Sequence, residues 1–208
     1  MSDKITIKWL GHSCFKITKD DFSFVIDPFE PNSVPGLNPI DEEANAVYCS
    51  HDHFDHGYRD AVKIVNGAEN PFKVTEIHTY HDDCHGEKRG TNIIHIFEAD
   101  GIKIAHYGDL GCGLSQDEIE LLRNCDAIMI PVGGFYTIDA KAAAAIAEIT
   151  EAKVVIPMHY RSADFGYDVL KTVDDYLDIC GRWVKTLTDT IEIGHETRHY
   201  TAVLSYGK

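Results

Sequence analysis

Residues 51–56 read His-Asp-His-Phe-Asp-His, five ionisable or metal-ligating side chains in six positions. An ordinary apolar core does not accept such a run, because each unpaired carboxylate or imidazole loses its water on burial. The chain must either leave the segment as a solvated polar loop or fold so that more donors converge on it around cations. Imidazole nitrogen and carboxylate oxygen are the ligands that borderline and hard divalent ions prefer. In an extended segment, residues two apart point the same way, so His51 and His53 can share one ion. A turn after Phe54 would then aim Asp55 and His56 at a second ion.

Further donors stand at the ends of strand-like runs. Asp109 follows IKIAHYG, His159 follows VVIPM, and His81 closes VTEIHTY. In open α/β sheets, sites form beyond the carboxyl ends of strands, and His51, His81, Asp109 and His159 all occupy such ends. His85, four residues after His81, is an alternative ligand, although Asp82-Asp83-Cys84 and Gly86 favour a loop and hence His81.

The layout around these donors is mixed. Residues 4–10, 13–18 and 22–27 predict short strands separated by turn residues. Pro28, Pro31, Pro35 and Pro39 make 28–43 a loop, long enough to act as a functional flap. A brief strand over 45–49 leads into the histidine run, and 58–65 predicts a short helix. Strands are expected near 72–80, 91–99 and 101–107, with Asp100-Gly101 as a hairpin turn. Ser115 and Glu118 form a capping box that opens a helix through Arg123. The remainder alternates: strand 126–132, helix 139–149, strand 153–158, helix 167–180 and strand 183–187, with strands again at 190–193 and 198–206. That βαβαβ run implies parallel strands with helices packed against them. The whole, residues 1–208, is expected to be one mixed α/β domain.

Charge narrows the function. A net charge of −15 repels phosphate backbones, so no nucleic-acid partner is expected. No apolar run approaches the ~18 residues of a membrane span, and MSDKITIKWLGHS lacks the apolar stretch of a secretory signal. A cytoplasmic location and no membrane partner are therefore expected, with oligomeric state left open. The six cysteines show no CxxC pair and are expected as free thiols.

WLGHSCF, VIDP, SHDHFDH, YHDD…KRGTN, HYGDLG, PVGGFYT and IPMHY occur in this order over about residues 5–160. The combination resembles the metallo-β-lactamase-fold hydrolases, and most nearly the branch containing L-ascorbate-6-phosphate lactonase. The resemblance implies an αββα sandwich of two mixed sheets flanked by helices, with a two-metal site between the sheets. It implies that His51, His53 and His81 hold one divalent ion and that Asp55, His56 and His159 hold the other, with Asp109 bridging. Zn²⁺ suits these ligands, and Mn²⁺ and Fe²⁺ tolerate them.

Asp27 of VIDP is then either a carboxylate orienting the histidine loop or a turn initiator before Pro28. His12 reads as a donor behind the ligands or as a packed polar residue. Relatives of this branch often carry His after GDLG, where this chain has Cys112. Cys112 is open to three readings: a soft auxiliary ligand, a thiol behind the ligands, or a small residue in a glycine loop. Arg89 and, less directly, Arg161 are the candidate substrate anchors. Gly133, Gly134 and Tyr136 are candidate pocket residues.

The expected chemistry is metal-assisted hydrolysis by a water activated between two ions, with Asp55 and Asp109 as the catalytic carboxylates. The expected substrate is a small anionic ester, lactone or phosphorylated metabolite. Phosphodiester cleavage and metal binding without turnover are the alternatives. His195–His199 matches HExxH, but the strand-like YTAVLSY that follows denies it the helix that motif needs. His106 is expected as a hydrogen-bonded core histidine.

Overall fold

In the computed structural model, which describes residues 3–207, the N-terminal alternation becomes an antiparallel set. Ile5, Ile7 and Trp9 of β1 (Lys4–Gly11) turn inward, as do Phe15 and Ile17 of β2 (Cys14–Lys19) and Phe22, Phe24 and Ile26 of β3 (Phe22–Ile26). The intervening Thr6, Lys8 and Lys16 face outward, the period of a half-covered strand. β13 (Thr190–Gly194) pairs antiparallel with β1, and β5 (Ala46–Tyr48) runs parallel to β3, completing a mixed five-stranded sheet.

The second sheet has seven strands. β7 (Lys73–Tyr80), β8 (Thr91–Ala99) and β9 (Ile102–His106) form an antiparallel meander. β10 (Ala127–Pro131), β11 (Val154–Met158), β14 (Tyr200–Leu204) and β12 (Val184–Leu187) continue it in parallel, as the alternating second half predicts. Every residue of β10 and β11 is buried, so these strands are covered on both faces. Pro157 is tolerated within β11 because β14 pairs only at Val154 and Val155.

The sheets face one another. Phe24 of β3 stacks 4.4 Å from Phe97 of β8, and Tyr48 of β5 lies 5.1 Å from the same ring. One apolar cluster runs through both sheets. The helices are few and belong to the connections of the parallel half: α1 (Gln116–Leu122), α2 (Ala140–Ile149) and α3 (Asp174–Leu177). α1 opens on the expected capping box, Ser115 with Glu118, and α2 buries Ala143 and Ala147. Over the other face of the five-stranded sheet, Phe29, Val34 and Leu37 of the proline-rich loop pack on Cys14 and Val25. There the outer layer is loop plus a small parallel ribbon of β4 (Glu42–Ala44) and β6 (Val62–Ile64). No helix among the described residues is long and apolar enough to cross a membrane.

Two expected helices are corrected. Residues 58–65 form a 3₁₀ turn, Arg59–Ala61, and then β6, because β-branched Val62 and Ile64 pair with β4. The helix expected over 167–180 contracts to α3. Its first half spends its polar groups on tertiary contacts: Arg161 N–H donates to the Lys171 carbonyl, and Lys171 N–H to that of Gly133.

Phe97 is the side chain that joins the two sheets. Phe97→Ala should cost ~3–5 kcal/mol of unfolding free energy, read by urea denaturation. A cost below about 1 kcal/mol would show that the sheets do not depend on this contact.

Candidate metal centre

The strand ends deliver the donors from both sheets to one place. His51 follows β5, His81 follows β7, Asp109 lies three residues past β9, and His159 directly follows β11. His12 enters from the turn between β1 and β2. The loops pack tightly enough to need bare backbone. A Cβ on Gly133 would lie 2.1 Å from the His159 carbonyl oxygen, and one on Gly111 would lie 2.3 Å from the His81 carbonyl carbon.

Asp27, fully buried at the end of β3, organises the histidine run. Its Oδ1 accepts the Ser50 N–H at 2.6 Å, and its Oδ2 accepts the Ser50 hydroxyl at 2.6 Å and His56 Nδ1 at 2.9 Å. Because the Ser50 hydroxyl donates to Asp27, its oxygen is free to accept from His51 Nδ1, 2.9 Å away. Both Nδ1 atoms thus carry the proton, and both Nε2 lone pairs are left for another partner. Burial alone would raise the Asp27 carboxyl, but the nearby His106 and His56 rings and these hydrogen bonds hold it well below the usual range. Of the two readings of Asp27, the orienting carboxylate is the one the hydrogen bonds describe.

The imidazoles are crowded. Ring centroids are 4.4 Å apart for His51 and His56, 4.5 Å for His51 and His53, and 4.2 Å for His12 and His159. Burial, then neighbouring rings, lower His51 to about 3 and His12 to about 4, which keeps them neutral. His56 moves the other way: burial opposes its charge, yet the Asp109 and Asp55 carboxylates outweigh burial and favour a second proton at Nε2, which a bound cation would displace.

Three groups of donor atoms lie within 4.8 Å of one another: His51, His53 and His81; His12, Asp55, His56 and His159; and His51, His56 and Asp109. Asp109 Oδ2 stands between them, 3.2 Å from His81 Nε2, 3.1 Å from His159 Nε2 and 3.3 Å from His56 Nε2. Buried atoms without a hydrogen-bond partner concentrate here: Nε2 of His51 and His56, Nδ1 of His81 and His159, Oδ1 of Asp109 and both nitrogens of His12. Each such orphan costs ~1–3 kcal/mol unless something satisfies it. Neutral nitrogens and carboxylate oxygens, converging and unsatisfied, are a donor set that fits divalent cations.

A cavity of about 310 Å³ opens onto the cluster. His53, Asp55, His81, Asp109 and His159 form its floor, with Phe54, Arg89, Tyr136 and Tyr167 around them. The Arg89 guanidinium lies 5.5 Å over the Tyr136 ring, a cation–π contact. Tyr167 Oη lies 3.3 Å from Asp55 Oδ2, and burial followed by the Asp55 charge pushes its hydroxyl pKa up, so it stays protonated.

Residues 6–159 match the β-lactamase superfamily domain. A solved structure from Thermotoga maritima, assigned to the Zn-dependent hydrolases of the metallo-β-lactamase superfamily, is 31% identical, with a TM-score of 0.76 over 96% of this chain and 98% of that one. The chain belongs to the metallo-β-lactamase superfamily. Curated relatives named UPF0173 metal-dependent hydrolase include one from Hyperthermus butylicus, 27% identical across 75% of this chain and 83% of its own length. Another, from Thermococcus onnurineus, is 28% identical across 76% and 85%. As a member of this superfamily, the chain is a metal-dependent hydrolase with two mixed sheets and few helices, loop and ribbon standing over the five-stranded sheet where helices were expected.

Other expected site residues of this metallo-β-lactamase-fold hydrolase lie elsewhere. Arg161 does not line the cavity; its Nε donates to the Leu170 carbonyl at 2.8 Å and ties down the following loop. Cys112 is in none of the donor groups and packs half-buried against the core. His85 stacks on Tyr80, 5.4 Å away, outside the groups. His195 and His199 lie in the turn between β13 and β14, also outside them. His106 is a core histidine, its Nε2 donating to the Ser13 carbonyl and its Nδ1 accepting from Gly108 N–H. His12, expected behind the candidate ligands, has a ring nitrogen within 4.8 Å of donor atoms of Asp55, His56 and His159.

Four residues escape a reading of the sequence. Ser50 relays Asp27 to His51. Buried Asn92 accepts the Asp109 N–H at 2.8 Å and donates to the Tyr107 carbonyl, fixing the Asp109 loop. Asp82 accepts four backbone N–H groups, those of Cys84, Gly86, Lys88 and Arg89, and so shapes the loop that carries Arg89. Tyr167 reaches the cavity from a segment expected to be helix. Only Asn92 left a signal, as a polar residue at the head of the apolar run IIHIF.

Asp27→Asn replaces an acceptor with an amide that cannot serve both His56 and Ser50. The substitution should weaken metal binding by ~10–100-fold without unfolding the protein, measured by competition with a chelator. Unchanged affinity would reduce Asp27 to a turn residue.

Proposed function

We propose that the protein hydrolyses a small anionic ester, lactone or phosphorylated metabolite at a centre of two divalent ions. His51, His53 and His81 would hold one ion, Asp55, His56 and His159 the other, with Asp109 shared. The observation that carries this reading is the place of Asp109 Oδ2, within 3.3 Å of ring nitrogens from both groups. Zn²⁺ suits the donor set, and the zinc assignment of the Thermotoga maritima relative supports it. Two such ions supply Lewis acidity, activating a water and polarising the scissile carbonyl or phosphoryl oxygen.

The chain's own residues do the rest. Asp109 Oδ1, buried and unpartnered, is the acceptor that orients the water's proton. Asp27 and Ser50 hold His56 and His51 in the protonation state that leaves their Nε2 atoms free. The Tyr167 hydroxyl, whose proton is shared between the Ser33 carbonyl and Asp55 Oδ2, steadies Asp55 at the cavity wall. Phe54, 57% exposed, flanks the mouth and covers apolar parts of the substrate.

The anionic preference follows from charge. Two divalent ions would offset the carboxylates Asp27, Asp55 and Asp109 and a bound hydroxide, and Arg89 at the wall then leaves the cavity locally positive in a chain of net charge −15. The surface field that repels long polyanions is screened beyond ~8 Å at physiological salt. Arg89 adds a fork suited to phosphate or carboxylate. A cavity of about 310 Å³ limits the substrate to a small molecule. The motif likeness to the L-ascorbate-6-phosphate lactonase branch makes phosphorylated lactones and esters the first compounds to screen, with phosphodiesters as the contrasting class.

Elemental analysis of freshly purified protein should approach two metal ions per chain. A ceiling of one after reloading with Zn²⁺ or Mn²⁺ would remove the second site.

Arg89→Ala should raise KM for an anionic substrate by ~10-fold or more, with little change for its neutral analogue and none in metal content. Equal effects on both substrates would leave Arg89 a packing partner of Tyr136.

A further inference from the structure

His12 is a buried imidazole at the cluster that the assignment above leaves unused. Its ring is 1% exposed, and neither nitrogen has a hydrogen-bond partner. A buried histidine with no partner at either nitrogen is destabilising unless something else binds it. Its backbone is held in a strained form: φ is +50°, in the left-handed region. Its carbonyl accepts both Trp9 Nε1 at 3.0 Å and His159 N–H at 3.3 Å. Those contacts fix the ring against His159, with centroids 4.2 Å apart, and 5.3 Å from His56.

The Nε2 atom lies 3.5 Å from Asp55 Oδ2, too long for a hydrogen bond that would satisfy the ring. It is instead the spacing of two donors sharing one ion, close to the 3.1–3.3 Å between Asp109 Oδ2 and the rings of His56, His81 and His159. The ligand atoms of His12, Asp55, His56 and His159 all lie within 4.8 Å of one another.

We propose that His12 is itself a ligand, through Nε2, of the ion held by Asp55, His56 and His159; this rests on the two-ion reading. That ion then has three imidazoles, Asp55 and a share of Asp109. The His51, His53 and His81 ion has three imidazoles and the other share of Asp109. The second position is therefore the more completely filled by protein. The first, whose His53 and His81 line the cavity, has more room for substrate.

Stepwise Zn²⁺ affinities of the wild type, His12→Asn and His12→Gly test the proposal. Both replacements tolerate the left-handed backbone. One of the two affinities should fall by more than the ~10–100-fold typical of losing a supporting partner, while the other stays within a few-fold. Free imidazole should restore the lost site in His12→Gly. On the wild type, cadmium loading with nitrogen-labelled histidine should show scalar coupling between the ion and the His12 ring, a result no merely orienting role produces. Two unchanged affinities in the variants, or coupling at the other histidines and none at His12, would overturn the proposal. Should the variants not fold, the coupling alone decides. A wild type that takes up a single ion would overturn the two-ion reading instead, and coupling of that ion to His12 would still decide His12.

Discussion

The Asp27 carboxylate carries the arrangement of the histidine run. It lies at the end of β3, fully buried, and through Ser50 and His56 it fixes the rotation and protonation of two rings at once. A carboxylate in that place would be costly alone; three donors within 2.9 Å make it tolerable. What it leaves behind is a set of nitrogens whose lone pairs face inward with no protein partner. Elsewhere among the described residues such atoms are scattered singly, as in Ser13, His95, Tyr107, Tyr176 and Thr201, whereas here they gather at the cavity floor.

The two sheets make that deficit possible. Each contributes strand ends to the same rim, and aromatic packing between Phe24, Tyr48 and Phe97 keeps the layers in register. The donors therefore come from rigid elements, and the long loop over 28–40 serves mainly as cover for the outer face of the smaller sheet. A site assembled from strand ends needs no helix to hold it, which fits the small helical content of this sandwich.

Much of this was legible in the residues. The run at 51–56, the strand-terminal His81, Asp109 and His159, and the period-two alternation of 4–27 each have a direct physical meaning. The hairpin at Asp100-Gly101 and the Ser115 cap are equally local. What escaped notice depends on distant contacts. Nothing near residue 167 shows that Tyr167 will reach Asp55, because the helix its neighbours favour is outcompeted by bonds to Gly133 and Arg161. Arg161 is drawn away from the cavity for the same reason, its Nε held by the Leu170 carbonyl. His12 was placed beside the site, but its orphaned nitrogens are visible only once the sheets close.

The loop after His81 has a property of a different kind. Its path is set from within, by Asp82 drawing four amides of its own backbone around one side chain. The side chains of Asp83, His85, Glu87 and Lys88 are exposed and none of them bonds to the Asp82 carboxylate. Their identities can drift without moving His81, whereas Arg89, at the end of the same turn, faces the cavity. On the proposed reading, the turn separates ion binding from substrate choice: the exposed positions and Arg89 could be rewritten for a new substrate while His81 beside them stays in place.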